Sequence, residues 1–310
     1  MRILIAEQQC ATYAALLQQA QPQLTLCPAA TLDQLIELAT SCDVWLGQPD
    51  LLADLLRQGL KPQWAQSTWA GIKPLLAQDL PRDYRLSRAS GIFGELMAEY
   101  VLTYMLAHER QLLARVASQS ACTWDDRRPG TLAGRRVLLV GCGAIGQQVA
   151  QRLASFAVQL FGVASTAREQ SPFLQVVALE HLAEQVTQAD YLINLLPDTP
   201  ATQNLFDKNL FEQCKPGALF INAGRGSAVV DADLVAALAA GWLAGAVLDV
   251  CREEPLPAAH CFWRTPGLLL TGHTAALTLP GLMAELFLAN LQAYEAGQPL
   301  RGEVNFARGY

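Results

Sequence analysis

Six residues, Gly141-Cys142-Gly143-Ala144-Ile145-Gly146, constrain this chain more than any other feature. Ahead of them stands Arg136-Val137-Leu138-Leu139-Val140, short, apolar and rich in branched side chains, which predicts a buried strand. Behind them, residues 147–156 carry Val149, Ala150, Leu153 and Ala154 at the spacing of one helical face. Strand, glycine turn and helix in that order form the dinucleotide fingerprint. Gly141 permits the tight turn, Gly143 lets the backbone approach a pyrophosphate, and Gly146 lets helix and strand pack closely. The pyrophosphate is then expected on the free N–H groups at the start of the helix, around Ala144 and Ile145. The alternative is a tight turn of an α/β protein with no ligand.

The dinucleotide is read from the next strand, Val158 to Val163. An NAD site places an acid near its end for the ribose 2′-hydroxyl. Positions 163–167 hold no carboxylate. Ser165 and Thr166 can donate to a 2′-phosphate and Arg168 can neutralise it, which favours NADP over NAD. Glu169 argues the other way, as a possible partner for Arg168.

The 310 residues suit two domains, and 52% hydrophobic against 16% charged residues implies a large core and a buried subunit interface. A net charge of −6 argues against a nucleic-acid partner. The apolar start Ile3–Ala6 is too short for a signal-peptide core and reads as a first strand, and no run reaches membrane-spanning length. Eight scattered cysteines without a CxxC pair point to no disulfides, no metal and a reducing cytoplasm. Cys142 reads as a space-filler in the turn.

Strands and helices alternate over residues 1–88: strands at Ile3–Ala6, Leu24–Leu26 and Val44–Leu46, helices near Ala14–Ala20 and at Leu32–Ala39. Gly94–Arg115 reads as one long helical stretch with an apolar stripe of Leu96, Met97, Tyr100, Val101, Tyr104, Met105 and Ala107, suited to crossing between domains or packing on a second copy. Further strands are expected at Tyr191–Leu195, Ala218–Asn222 and Ala246–Val250, and a last helix at Gly281–Ala296. His108, His181 and His260 have no context that assigns them a role.

Three motifs fall at predicted strand ends, where ligands of open α/β sheets gather. Phe220 to Gly226 ends in a glycine-flanked Arg225, Leu248 to Pro257 carries acids and prolines, and Leu270 to Ala276 presents His273. Each residue alone would suit a surface turn. Together, an arginine, a carboxylate and a histidine suit reduction of a 2-oxo acid. The arginine holds the carboxylate and polarises the carbonyl, the histidine gives the carbonyl oxygen its proton, and the acid steadies the imidazolium.

With these motifs the chain resembles the D-isomer-specific 2-hydroxyacid dehydrogenases, closest to their short glyoxylate/hydroxypyruvate reductase branch. The resemblance rests on the fingerprint, Leu196–Thr202, Asn222–Gly226, Asp249–Pro257 and Gly272–Ala276, and covers nearly the whole chain. It implies an α/β protein of two Rossmann-like, flavodoxin-like domains, the larger binding the dinucleotide, with a cleft between them. The substrate domain would be 1–93 completed by 279–310, and the NAD(P)-binding domain 94–278. The resemblance makes Arg225 the substrate-binding arginine, Glu254 the carboxylate partner and His273 the acid/base. It puts Asp249 near the nicotinamide carboxamide, with Pro197, Thr202 and Ala223 also on the cofactor. Trp69-Ala70-Gly71-Ile72-Lys73 matches the glycine loop whose Ala70, Gly71 and Ile72 backbone binds the substrate carboxylate. A homodimer and a D-2-hydroxy acid product are likewise implied.

The sequence departs from that pattern at Lys73, where an acid is common, and at Cys251, where an aromatic residue is common. Lys73 either adds a cation near an anionic substrate or faces solvent. Two alternatives remain: a dehydrogenase for another 2-oxo acid, or a non-catalytic protein that senses NAD(P)H.

Overall fold

The computed structural model describes residues 1–307; residues 308–310, the end of the segment expected to complete the first domain, lie outside the described residues. The chain forms two compact units, Met1–Ile92 continued from Thr278 onward, and Phe93–Leu277.

In the first unit, β1 (Arg2–Ala6), α1 (Cys10–Ala20), β2 (Thr25–Ala29), α2 (Leu32–Ala39), β3 (Val44–Gly47), α3 (Pro49–Arg57), β4 (Trp64–Ser67) and β5 (Arg85–Ser87) build a parallel sheet. Its order is β2-β1-β3-β4-β5. Strands β3 and β4 are buried along their whole length, as a parallel sheet covered on both faces requires. The helix Pro280–Glu295 seals β4: Phe287 and Tyr294 stack on Trp64 at 5.3 and 5.1 Å, and Asn290 donates to Gln66 Oε1 at 2.7 Å.

The second unit opens with α4 (Gly94–Glu109) and α5 (Leu112–Ser120). It continues through β6 (Arg136–Val140), α6 (Ala144–Leu153), β7 (Gln159–Ala164), β8 (Gln175–Ala178), α7 (Leu182–Val186), β9 (Tyr191–Asn194), α8 (Lys208–Glu212), β10 (Ala218–Asn222), α9 (Asp231–Ala240), β11 (Leu243–Leu248) and β12 (Leu268–Leu270). The seven strands are parallel, in the order β12-β11-β10-β9-β6-β7-β8. Alternation splits each strand between two cores. Val137, Leu139, Ile193 and Ile221 face one, with Val101 and Val149 of α4 and α6, while Leu138, Val140, Leu192 and Phe220 face the other, with Phe211 and Leu234 of α8 and α9. The chain leaves β6 toward β7 on one side and reaches β9 on the other. That reversal opens a crevice at the carboxyl ends of the strands.

The stretch 94–115 is not one helix. It breaks at Arg110 and Gln111, where Gln111 takes a left-handed φ of 52°. Buried Glu109 explains the stop: Arg135 grips it at 2.7 and 3.0 Å and the Tyr191 hydroxyl at 2.8 Å, so α4 ends fixed to the sheet. Helix α5 buries no residue, and Leu112, Leu113 and Val116 are exposed. The strand expected at Ala246–Val250 starts three residues earlier and stops two residues earlier, which leaves Asp249 just beyond its end. Among the described residues no helix is long and apolar enough to cross a membrane.

Candidate active site

The glycines of the turn meet different demands. Gly141 has a φ of 113°, and a Cβ on Gly146 would lie 2.1 Å from the Gly141 carbonyl oxygen, so packing requires both. A Cβ on Gly143 would meet nothing within 4 Å. The fold itself does not ask for glycine there, whereas a pyrophosphate lying against the backbone would. Helix α6 begins at Ala144 with no capping side chain, so its first-turn N–H groups are unclaimed donors for an anion. The turn therefore fits dinucleotide phosphates. Cys142 is buried with its thiol pushed up to about 11 by burial, and its Sγ fills the hollow over Gly162.

Beyond β7, Ser165, Thr166 and Arg168 are exposed. The Arg168 N–H bonds to the Val176 carbonyl at 3.3 Å. Its guanidinium donates from Nη2 to the Cys142 carbonyl at 2.8 Å and from Nε to Gln170 Oε1 at 2.6 Å. These partners, not Glu169, take its hydrogen bonds.

The three strand-end motifs meet beyond β9, β10, β11 and β12. Asn194 donates to Asn222 Oδ1 at 2.9 Å, and Asn222 donates to the Arg225 carbonyl at 3.1 Å, which shapes the turn after β10. A Cβ on Gly226 would lie 1.9 Å from the Cys251 carbonyl carbon, so only glycine lets this turn reach the segment carrying Glu254. Arg225 is half-buried and donates to the Gly224 carbonyl at 2.7 Å. Burial pulls its guanidinium below the usual value, and Glu254 and Asp198 partly offset that. A desolvated cation in such a place suits an anionic ligand. Glu254 accepts the Cys251 N–H on Oε1 at 2.8 Å and meets His273 Nδ1 through Oε2 at 2.7 Å. Both side chains are exposed, and with the carboxylate oxygen as acceptor Nδ1 is the donor, leaving Nε2 for another partner.

Asp249 proves to be the grip on the histidine loop. Its carboxylate accepts from Thr271 Oγ1 at 2.7 Å, from the Thr274 N–H at 2.8 Å and from the Ala275 N–H at 3.0 Å, and its carbonyl takes the His273 N–H at 2.5 Å. These bonds hold His273 at a left-handed φ of 60°, a conformation uncommon outside glycine. Tyr100 extends the set through its 2.9 Å hydrogen bond to Thr271. The sequence reading missed Tyr100 and Thr271, since the two lie 171 positions apart. The Thr202 hydroxyl donates to the Pro197 carbonyl at 2.7 Å and accepts the Thr199 N–H at 2.9 Å, so it shapes the 197–202 loop. Ala223 is buried, its N–H on the Asn194 carbonyl at 3.1 Å.

In the first unit, Ala70, Gly71 and Ile72 follow β4. Their N–H groups meet no acceptor among the described residues, and Arg88 donates to the Ala70 carbonyl at 3.3 Å. Thr68 just before them donates to buried Glu7 at 2.6 Å, and burial raises the Glu7 carboxyl above its ordinary value. Lys73 is exposed.

Comparison with known proteins places this chain in a family. The profile for the D-isomer specific 2-hydroxyacid dehydrogenase NAD-binding domain matches residues 102–275. Glyoxylate/hydroxypyruvate reductase A of Serratia proteamaculans is 34% identical over 274 residues, covering 86% of each chain. A D-isomer specific 2-hydroxyacid dehydrogenase family protein from Aeromonas salmonicida superimposes with a TM-score of 0.93 at 38% identity, covering 98% of this chain and 99% of that one. An NADPH-dependent glyoxylate/hydroxypyruvate reductase from Sinorhizobium meliloti, solved with NADP and sulfate, gives 0.86 at 27% identity, covering 100% and 99%. This chain is therefore a member of the D-isomer specific 2-hydroxyacid dehydrogenase family, an NAD(P)-dependent oxidoreductase.

Proposed function

We propose that this enzyme reduces a small 2-oxo acid of the glyoxylate or hydroxypyruvate class to the D-2-hydroxy acid, with NADPH favoured over NADH. The observation that carries the reading is the His273–Glu254 contact of 2.7 Å at the same strand ends as the half-buried Arg225. The reductase names of relatives at this level of identity support the substrate class, and the D-isomer specific family description supports the D configuration.

Arg225 holds the substrate carboxylate and draws electron density from the 2-carbonyl. In the first unit, the unpaired Ala70, Gly71 and Ile72 N–H groups are proposed as donors to a carboxylate. Bound nicotinamide supplies the hydride. His273, its Nδ1–H on Glu254, delivers a proton from Nε2 to the carbonyl oxygen as negative charge develops there. Asp249 fixes the loop that aims this imidazole. Ser165, Thr166 and Arg168 are proposed to receive the 2′-phosphate.

Absorbance at 340 nm tests this reading, with glyoxylate and hydroxypyruvate each offered NADPH and then NADH. Faster oxidation of NADPH with either acid is expected. Equal or faster use of NADH would remove the cofactor preference. Oxidation of neither cofactor with both acids would remove the substrate class.

A further inference from the structure

Gln170 is a residue that neither the fingerprint nor the catalytic set uses, yet every polar group of its amide is engaged. Its Oε1 accepts Arg168 Nε at 2.6 Å. Its Nε2 donates to the Cys142 carbonyl at 3.1 Å and to Gln147 Oε1. Gln147, on α6, turns its own amide nitrogen to the Ser171 carbonyl. A flipped Gln170 amide would point N–H at N–H toward Arg168, so only one orientation satisfies all partners.

We infer that Gln170 is a positioning residue that sets Arg168 for the 2′-phosphate of NADPH and so determines cofactor preference. The inference rests on the proposed role of Arg168. The Arg168 backbone is tied to Val176 at 3.3 Å, and its guanidinium is fixed on two sides by Gln170 and the Cys142 carbonyl. Three of its five N–H donors remain for a phosphate. The Cys142 carbonyl belongs to the glycine turn and accepts from both residues, so the phosphate arginine and the pyrophosphate turn form one connected unit. An exposed arginine otherwise loses side-chain freedom when it binds phosphate. The glutamine removes that freedom beforehand, which strengthens binding without a new contact to the ligand.

The test is the dissociation constant of NADPH and of NADH, from fluorescence titration without substrate, for the wild type, Gln170→Ala, Arg168→Ala and the double variant. Arg168→Ala is expected to weaken NADPH by about a hundredfold, the scale of a charged hydrogen-bonded contact, and to leave NADH nearly unchanged. Gln170→Ala is expected to weaken NADPH by about tenfold, again sparing NADH, and to add nothing to Arg168→Ala in the double variant. Loss of NADPH affinity in Arg168→Ala but not in Gln170→Ala would overturn the inference and leave the Arg168 reading intact. Equal weakening of both cofactors by Gln170→Ala would overturn it too, by showing a structural role only. An unchanged NADPH constant in Arg168→Ala would overturn the Arg168 reading and the inference with it.

Discussion

Replacement of His273 by alanine is expected to cut turnover of the 2-oxo acid by about 10²–10⁴-fold, the range that a positioned general acid supplies. The expectation follows from the way the loop is built. The His273 N–H reaches the Asp249 carbonyl at 2.5 Å, and the next two N–H groups reach the Asp249 carboxylate. These bonds belong to the backbone and survive the substitution, so the loop remains and only the imidazole is lost. A left-handed φ of 60° disfavours alanine slightly, and His273→Asn provides a control because asparagine adopts that conformation readily. Both variants should keep cofactor affinity and thermal stability near wild type while losing turnover alike. Steady-state kinetics with a melting curve on each protein checks this. His273→Ala retaining more than about a tenth of wild-type turnover would remove the acid role.

Arg225 should show an opposite pairing of effects on activity and stability. Arg225→Gln is expected to lower kcat by about 10²–10³-fold, as loss of a donor to developing oxyanion charge does, and to raise KM as well. Arg225→Lys should recover little, because an ammonium cannot reproduce the planar fork. The melting temperature of Arg225→Gln, however, should hold or rise. Burial already pulls this guanidinium below its usual value, so a cation is being kept at a desolvated place at some cost to the fold. Its one side-chain hydrogen bond among the described residues is to the carbonyl of its own neighbour Gly224. A large fall in melting temperature together with unchanged kcat/KM would show that Arg225 is structural.

Much of this was legible where the information is local. The β6 strand, the glycine turn and α6 follow one another within twenty residues, and their pattern of apolar positions gives them directly. The helix break at Gln111 was not legible. No glycine or proline marks it, and its cause is Glu109 meeting Arg135 and Tyr191, which are distant in sequence. Asp249 shows the same limit in the site. The resemblance alone implies a place for it beside the nicotinamide, but only the packing of β11 beside β12 reveals that its carboxylate is taken up by Thr271, Thr274 and Ala275. Arg168 could be read as a phosphate ligand from its place after β7. Its attachment to Cys142 depends on β6 and β7 being neighbours in the sheet.

Hydride delivery to the substrate carbon is the central claim, and an isotope follows it most directly. NADPH deuterated at both C4 positions would be incubated with hydroxypyruvate and the enzyme, and the product analysed by mass spectrometry and chiral separation. The account predicts D-glycerate carrying one deuterium at C2. Cofactor oxidised without deuterium at C2 of the product would contradict it.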